Sequence, residues 1–456
     1  MFDHFKLTLE AGERTEAVGP LFYSEQKPQE STLAFPPFYS DYQSPSLETR
    51  EYDVLYPLFS YEYYGAEWRW QLGELFSFAG GKQADEFHTH RFTLFPVYFQ
   101  QRSLDTNLNY TAVFPFYGHL QGRLFRDKMF FVMFPIYGQT QKKDIVTDNY
   151  FYPIGHIRNG NGLHGWQVWP FAGSEHKDIN SITNGFGDVS LSPGHDNSFI
   201  MWPFWFDQNN DLGTTNPVTM RASIPFFAKI RSSLRDQTSV IWPLFAWVDD
   251  RGLQYHEWEG PWPFVIFARG EGKHTSRVWP IFSESRKNEQ KDGQPVWQES
   301  DSYAWPLYRY KHYHLPPFDQ ERTSVVFYLF VNVAEKNTDT GEHKGWNELW
   351  PLYHWRRDFN GNERLQILAP LEVVLPTNRG ILRNWTPLWS LWVSEKNPTT
   401  GADSQSLLWN LYHREAAPAH KKISLLFGLF QYQRDGENHR TRLFYLTISR
   451  TQPATK

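Results

Sequence analysis

The chain has 456 residues, and 45 Lys+Arg against 50 Asp+Glu leave a formal charge of −5. That balance argues against a nucleic-acid-binding protein, which normally shows a basic patch or stripe. The absence of cysteine excludes disulfide frameworks, thiolate metal sites and cysteine nucleophiles.

Aromatic residues make up 18% of the chain, with 37 Phe, 24 Tyr and 20 Trp. An ordinary soluble enzyme has no need of so many, and architecture must account for them. The longest apolar stretch, residues 129–137, is far short of the roughly 18 to 20 that cross a bilayer as a helix. The opening residues, Met1-Phe2-Asp3-His4-Phe5-Lys6, have neither the basic start nor the apolar run of a secretory leader. Either the protein is not exported or a leader has been removed.

Taken in chain order, a four-residue core of aromatic, Pro, apolar, aromatic recurs. It begins at Tyr56-Pro57-Leu58-Phe59, Phe95-Pro96-Val97-Tyr98, Phe114-Pro115-Phe116-Tyr117 and Phe134-Pro135-Ile136-Tyr137. Later copies start at Trp202-Pro203, Trp242-Pro243, Trp279-Pro280, Trp305-Pro306 and Trp350-Pro351. Successive prolines lie roughly 17 to 20 residues apart in three runs: from Pro96 to Pro170, from Pro225 to Pro280, and from Pro351 through Pro370 to Pro387. Degenerate copies such as Glu74-Leu75-Phe76, Trp409-Asn410-Leu411-Tyr412 and Phe427-Gly428-Leu429-Phe430 bring the count to about 20 to 23 units.

Each unit reads as strand. Its centre is rich in Trp, Phe, Tyr, Val and Ile, which fit a pleated surface. Its ends are turn clusters such as Asp249-Asp250-Arg251-Gly252 and Asn360-Gly361-Asn362. A proline in nearly every unit forbids long helices and marks a bend, bulge or strand end. The units are therefore long strands, or pairs of short strands broken at the proline. The expectation is an all-β chain of tandem antiparallel units closed as a β-barrel, with a propeller-like or solenoid repeat as the alternative. One domain spans residues 1–456, with irregular insertions near 174–199, which contains Asn184-Gly185-Phe186-Gly187, and near 286–302.

Around Pro243 both sequence faces are apolar, so an open, water-filled porin is not expected. The tandem pattern resembles uncharacterised bacterial envelope proteins with aromatic-Pro-Leu-aromatic β repeats. The resemblance implies an outer-membrane or envelope location and no known activity, and it carries over no catalytic residues.

Several clusters carry chemistry that can be weighed. His88-Thr89-His90 and His312-Tyr313-His314 each place two imidazoles on one strand face, but no third metal ligand is evident. Asp207-Gln208-Asn209-Asn210-Asp211-Leu212-Gly213 has the oxygen density of a calcium loop without its closing Glu, and reads as a hairpin turn. Glu257 and Glu259 flank Trp258 as a carboxylate pair of the kind glycosidases use. In a chain this rich in acids such pairs arise by chance, and no enzymatic activity, metal or cofactor is expected. The residues singled out are a structural repeat core: Trp202, Pro203, Trp242, Pro243, Trp279, Pro280, Trp305, Pro306, Trp350 and Pro351. Membrane lipid, a glycan or a protein are the partners such a surface could meet.

Overall fold

The computed structural model describes every residue except 74, 84–87, 184–188, 292 and 452–456. Glu74 and the Asn184-Gly185-Phe186-Gly187 stretch lie outside the described residues. Among those described the chain is all-β, with 45 strands, 43 of them in one antiparallel sheet. The α-helices are the six-residue Arg379–Asn384 and the four-residue Thr386–Trp389.

The repeat proline sits in neither a long strand nor a bulge. In Met133-Phe134-Pro135-Ile136 the Phe134–Pro135 bond is cis, and the Ile136 N–H donates to the Met133 carbonyl at 2.8 Å. This is a four-residue turn with cis-proline at its third position, the type VI arrangement. The same i to i+3 bond and cis bond recur at Pro57, Pro115, Pro203, Pro243, Pro280 and Pro351. A proline here forfeits no ladder hydrogen bond, because the turn needs none from that nitrogen. Each repeat is thus a pair of short strands: strand, proline turn, strand, polar turn. Where proline is missing, left-handed backbone makes the turn instead. Leu408, Trp409 and Asn410 all have positive φ, and Leu411 N–H donates to the Leu408 carbonyl at 3.0 Å.

The expected closure into a β-barrel does not occur, and the units are not the separate blades of a propeller. Pairing within the large sheet is sequential, apart from one inserted hairpin that is skipped, and the sheet stays open. Among the described residues the first strand, Phe2–Lys6, pairs with Glu13–Ala17, and the last, Leu446–Thr451, pairs with Asn438–Leu443. Closure would require those two terminal strands to pair with each other. Instead, side chains satisfy the outward backbone groups of Phe2–Lys6. The Tyr445 hydroxyl accepts from Phe2 N–H, Lys422 donates to the His4 carbonyl, and Glu415 accepts from Lys6 N–H. An edge capped in this way has no free template for another strand.

Residues 286–291 and 294–302 are not an irregular insertion. They belong to the ten-residue strands Phe282–Lys291 and Gln294–Tyr303, paired over their full length. The 174–199 stretch contains the small hairpin of Asn180–Thr183 and Val189–Ser192, a sheet of its own between Ala172–Lys177 and Gly194–Ile200. The chain divides into two units: Met1–Gly81 with Pro306–Lys456, and Lys82–Trp305.

In the Lys82–Trp305 unit the two sheet faces differ. One buries Ala246, Val248, Tyr255, Ile266 and Ala268, together with a second cluster of Phe99, Tyr110, Ala112, Leu120 and Phe131. The small residues let neighbouring large ones cover them. In the other unit, the N-terminal strands and the two short helices share buried polar contacts. Arg383 bonds Glu51 at 2.6 Å and Asp53 at 2.9 Å, and Asn384 donates to Asp53 at 2.9 Å.

Candidate functional site

Two features stand out, one in each unit. In the Lys82–Trp305 unit the proline turns form a continuous row, because each turn bonds to the one before it. Phe134 N–H donates to the Pro115 carbonyl at 2.7 Å, Tyr152 N–H to Pro135 at 2.8 Å, Trp202 N–H to Pro170 at 2.6 Å and Trp305 N–H to Pro280 at 2.7 Å. At four places the rings before successive prolines of the row meet. Centroids are 5.6 Å apart for Phe114–Phe134, 5.7 Å for Phe134–Tyr152 and Trp169–Trp202, and 5.3 Å for Trp279–Trp305. These spacings are those of favourable aromatic pairs.

The expected repeat core therefore lies along the turns. Trp202, Trp242 and Trp279 precede the cis prolines Pro203, Pro243 and Pro280, while Trp305 and Pro306 occupy the Ala304–Leu307 turn. In the other unit Trp350 and Pro351 hold the same places, and the Trp350 indole N–H donates to the Pro370 carbonyl at 3.0 Å. These tryptophans are only partly covered by protein: Trp202 is 47% exposed and Trp242 39%.

Below the row, the exposed face of the sheet is graded in polarity. Cross-strand partners share a face, so the register defines levels at increasing distance from the turns. Val240 and Phe245 pair at the first level, and Trp247 lies between Thr238 and Trp258 at the second, with Phe267 beyond Trp258. At the third level Asp249 lies between Asp236 and His256, which faces Arg269. A separate hairpin of the same unit, residues 155–168, repeats the order: Val168, then Ile157 with Trp166, then Asn159 with His164. Between the two places the second level is polar, running through Ser174, Ser198, Asp207, Arg221 and Lys229.

The second feature is a cavity of about 620 Å³ in the Met1–Gly81 and Pro306–Lys456 unit. Alternation along Glu13–Ala17 puts Arg14 and Glu16 on one face, and both line it. Arg14 lies 3.8 Å over the Tyr23 ring and 2.8 Å from Glu16. Burial pushes the Glu16 carboxyl up against the pull of Arg14, and it pushes the Tyr23 hydroxyl up to about 12. Arg364 is paired with Glu395 at 2.6 Å. Arg356, directly across the ladder from Arg364, has no carboxylate partner among the described residues. Desolvation first, and then the Arg364 charge, pull its guanidinium down. Glu372 accepts from Gln366, Thr386 and Trp389 and so anchors the short helices on the wall. His413 packs on Phe5 at 4.1 Å, and burial drives its imidazole down to about 4.

The chemistry-bearing clusters fall elsewhere. His312 and His314 both reach Asp319, at 2.9 and 3.5 Å, while His88 and His90 are exposed. Residues 207–212 are neither calcium loop nor hairpin turn but the body of the strand Trp205–Leu212. Glu257 and Glu259 do share a face, beside Lys273, which is paired to Glu257.

Sequence reasoning missed the cavity, whose wall is assembled from segments hundreds of residues apart. No protein-family model matches the chain, and no curated protein matches it.

Proposed function

We propose that this protein is a non-enzymatic structural component of a bacterial envelope, an open β sheet whose repeated turns present an aromatic surface. The observation that carries the reading is where the repeat residues are used. The aromatic-Pro pairs are committed to a hydrogen-bonded row of turns and do not converge on one pocket. Such a row has the chemistry of an extended contact surface rather than a catalytic centre. The resemblance to envelope repeat proteins supports the location. The test is fractionation of cells that make the protein natively. Recovery in an envelope pellet that withstands a high-salt wash is the expected result, and recovery in the soluble fraction overturns the reading.

A second reading, a scaffold that binds a glycan, is favoured by the cavity. Tyr23, Tyr42 and Trp409 line it beside carboxylates and guanidinium groups, and rings with polar neighbours suit sugar stacking. Saturable binding of an oligosaccharide that is lost in Arg356→Gln would favour this reading.

A further inference from the structure

We propose that the row of proline turns in the Lys82–Trp305 unit inserts into one leaflet of a lipid bilayer, with Trp166, Trp247 and Trp258 at headgroup depth. This rests on the envelope reading and names the partner of its aromatic surface.

The apex residues are apolar and open to solvent: Phe226 is 69% exposed, Ile281 66% and Phe151 61%. Solvated apolar edges this long mark an interaction surface. The grading below them matches a medium whose polarity changes with depth. Aliphatic and phenyl groups come first; Trp166, Trp247 and Trp258 share the second level with the charged Asp207, Arg221 and Lys229, as a headgroup layer allows; Asp249, His256 and Arg269 come last. Tryptophan prefers the boundary between acyl chain and water, where its ring is half apolar and its N–H finds a partner.

The dimensions select one leaflet. From the Trp242–Pro243 apex to Trp247 is about four residues, or roughly 13 Å at about 3.3 Å each. Half of a hydrocarbon core of about 30 Å is about 15 Å. Crossing the whole core takes strands of about 9 to 11 residues, whereas Val240 and Phe245 belong to six-residue strands, Arg235–Val240 and Phe245–Asp250, whose far ends are charged.

The backbone is suited to lipid as well. Unsatisfied N–H groups are expensive in hydrocarbon. At the Pro135 turn Met133 N–H donates to Phe116 at 2.6 Å, Phe134 N–H to Pro115 at 2.7 Å and Ile136 N–H to Met133 at 2.8 Å. Pro135 has no N–H to satisfy. The opposite sheet face at this level, Ser239, Ala246, Glu259, Ile266 and Arg277, is packed within the protein, with Ser239, Ala246 and Ile266 all buried, so lipid contact is confined to one side.

The absence of cysteine allows clean labelling of the full chain. Phe226→Cys carries an environment-sensitive fluorophore at the apex. Phe125→Cys carries it on the opposite sheet edge, where Phe125 is 96% exposed in the Arg123-Leu124-Phe125-Arg126 turn. With phosphatidylcholine vesicles, the label at 226 should shift to the blue and be quenched by nitroxide placed on the acyl chain. The label at 125 should stay in water. Phe226→Asp with Ile281→Asp should abolish vesicle flotation without changing circular dichroism, and Phe125→Asp should leave flotation intact. A label at 226 that stays in water, burial of the label at 125, or flotation indifferent to the apex charges would each overturn the proposal. So would a parent that fails to float yet forms a dimer that the apex charges dissolve. If the chain stays in the envelope pellet while the label at 226 remains in water, the envelope reading survives and the leaflet contact does not. Should the aspartate variants misfold, the label at 226 alone decides.

Discussion

The ammonium of Lys422 lies 2.7 Å from the carboxylate of Asp3, and both side chains are buried although 419 residues separate them. Lys422 also donates to the His4 carbonyl, and Gln431 donates to the same Asp3 oxygen at 3.3 Å. The pair thus fastens the N-terminal edge strand to the C-terminal part of its unit. Removing one partner leaves an uncompensated buried charge, which costs about 3 to 5 kcal/mol. Lys422→Met should lower stability by that amount in chemical denaturation. Asp3→Asn combined with Lys422→Met should recover part of the loss, because neither charge is then stranded. A single variant as stable as the parent would show that the pair is solvated.

His413 makes stability depend on pH on the acid side. Burial, opposed by Asp3 and Glu415, holds its imidazole near 4, against about 6.5 in the unfolded chain. Between those values the unfolded state binds the extra proton, so stability is full above about pH 6.5 and falls as pH drops toward 4. His413→Gln should flatten this part of the melting-temperature profile. An unchanged slope would assign the acid loss to other groups.

Glu259 acts with the opposite sign in the other unit. Desolvation and the hydrogen bond with Glu257 push its carboxyl up to about 7. The folded state therefore holds a proton that the unfolded state has released. The contribution is complete below about pH 4.5 and is lost as pH rises through 7. Glu259→Gln should leave the melting temperature nearly unchanged at pH 5 and raise it relative to the parent at pH 8. Equal melting temperatures for parent and variant at pH 8 would rule the pair out.

Strand composition and the spacing of prolines made the all-β character and the repeat legible. The phase of the strands was not legible. Reading residues 240–248 as one strand put Ile241 and Pro243 on one face and Trp242 on the other, but residues 241–244 are the turn and alternation restarts at Phe245. That error made both faces look apolar and hid the grading from Val240 to Asp236. Spacing also misled near the C-terminus. Pro370 and Pro387 keep the 17-to-19-residue step, yet Pro387 lies in the short helix Thr386–Trp389. A proline at the start of a helix and one in a tight turn exploit the same fixed φ, so period alone cannot separate them. Barrel closure depended on whether the first and last strands pair. That is decided by Lys422, Glu415 and Tyr445 capping an edge, and no local pattern announces it.

Gly118 sits where two neighbouring strands crowd it. A Cβ there would fall 2.2 Å from that of Ala112 and 2.7 Å from the Phe131 ring, inside the cluster with Leu120 and Tyr110. Overpacking of this kind costs about 1 to 3 kcal/mol. Gly118→Ala should show that loss. Gly138→Ala, whose Cβ would meet nothing closer than 3.7 Å, should cost less than about 1 kcal/mol, the usual penalty for a well-accommodated change. Equal effects would mean that the neighbouring strands yield.

The tryptophans of the turn row should differ in proportion to their ring partners. Trp279 is sandwiched between Phe264, at 5.5 Å, and Trp305, at 5.3 Å. Trp242 is 39% exposed and has no ring within pairing distance among the described residues. Each aromatic pair adds about 0.5 to 1.5 kcal/mol beyond area burial, and truncating a fully buried Trp costs about 3 to 5 kcal/mol. Trp279→Ala should therefore approach the buried range, and Trp242→Ala should fall below it by about 1 to 3 kcal/mol, the worth of two such pairs. Both variants should keep the far-ultraviolet spectrum of the parent, because the turn's i to i+3 bonds do not involve the rings. Bound vesicles should raise the stability of the parent, since a partner that binds only the folded state adds to it. That gain should shrink in Trp242→Ala if its ring meets lipid. If Trp242→Ala proves as costly as Trp279→Ala in the absence of lipid, the half-exposed ring has a protein contact, and the row is a packing element rather than a surface.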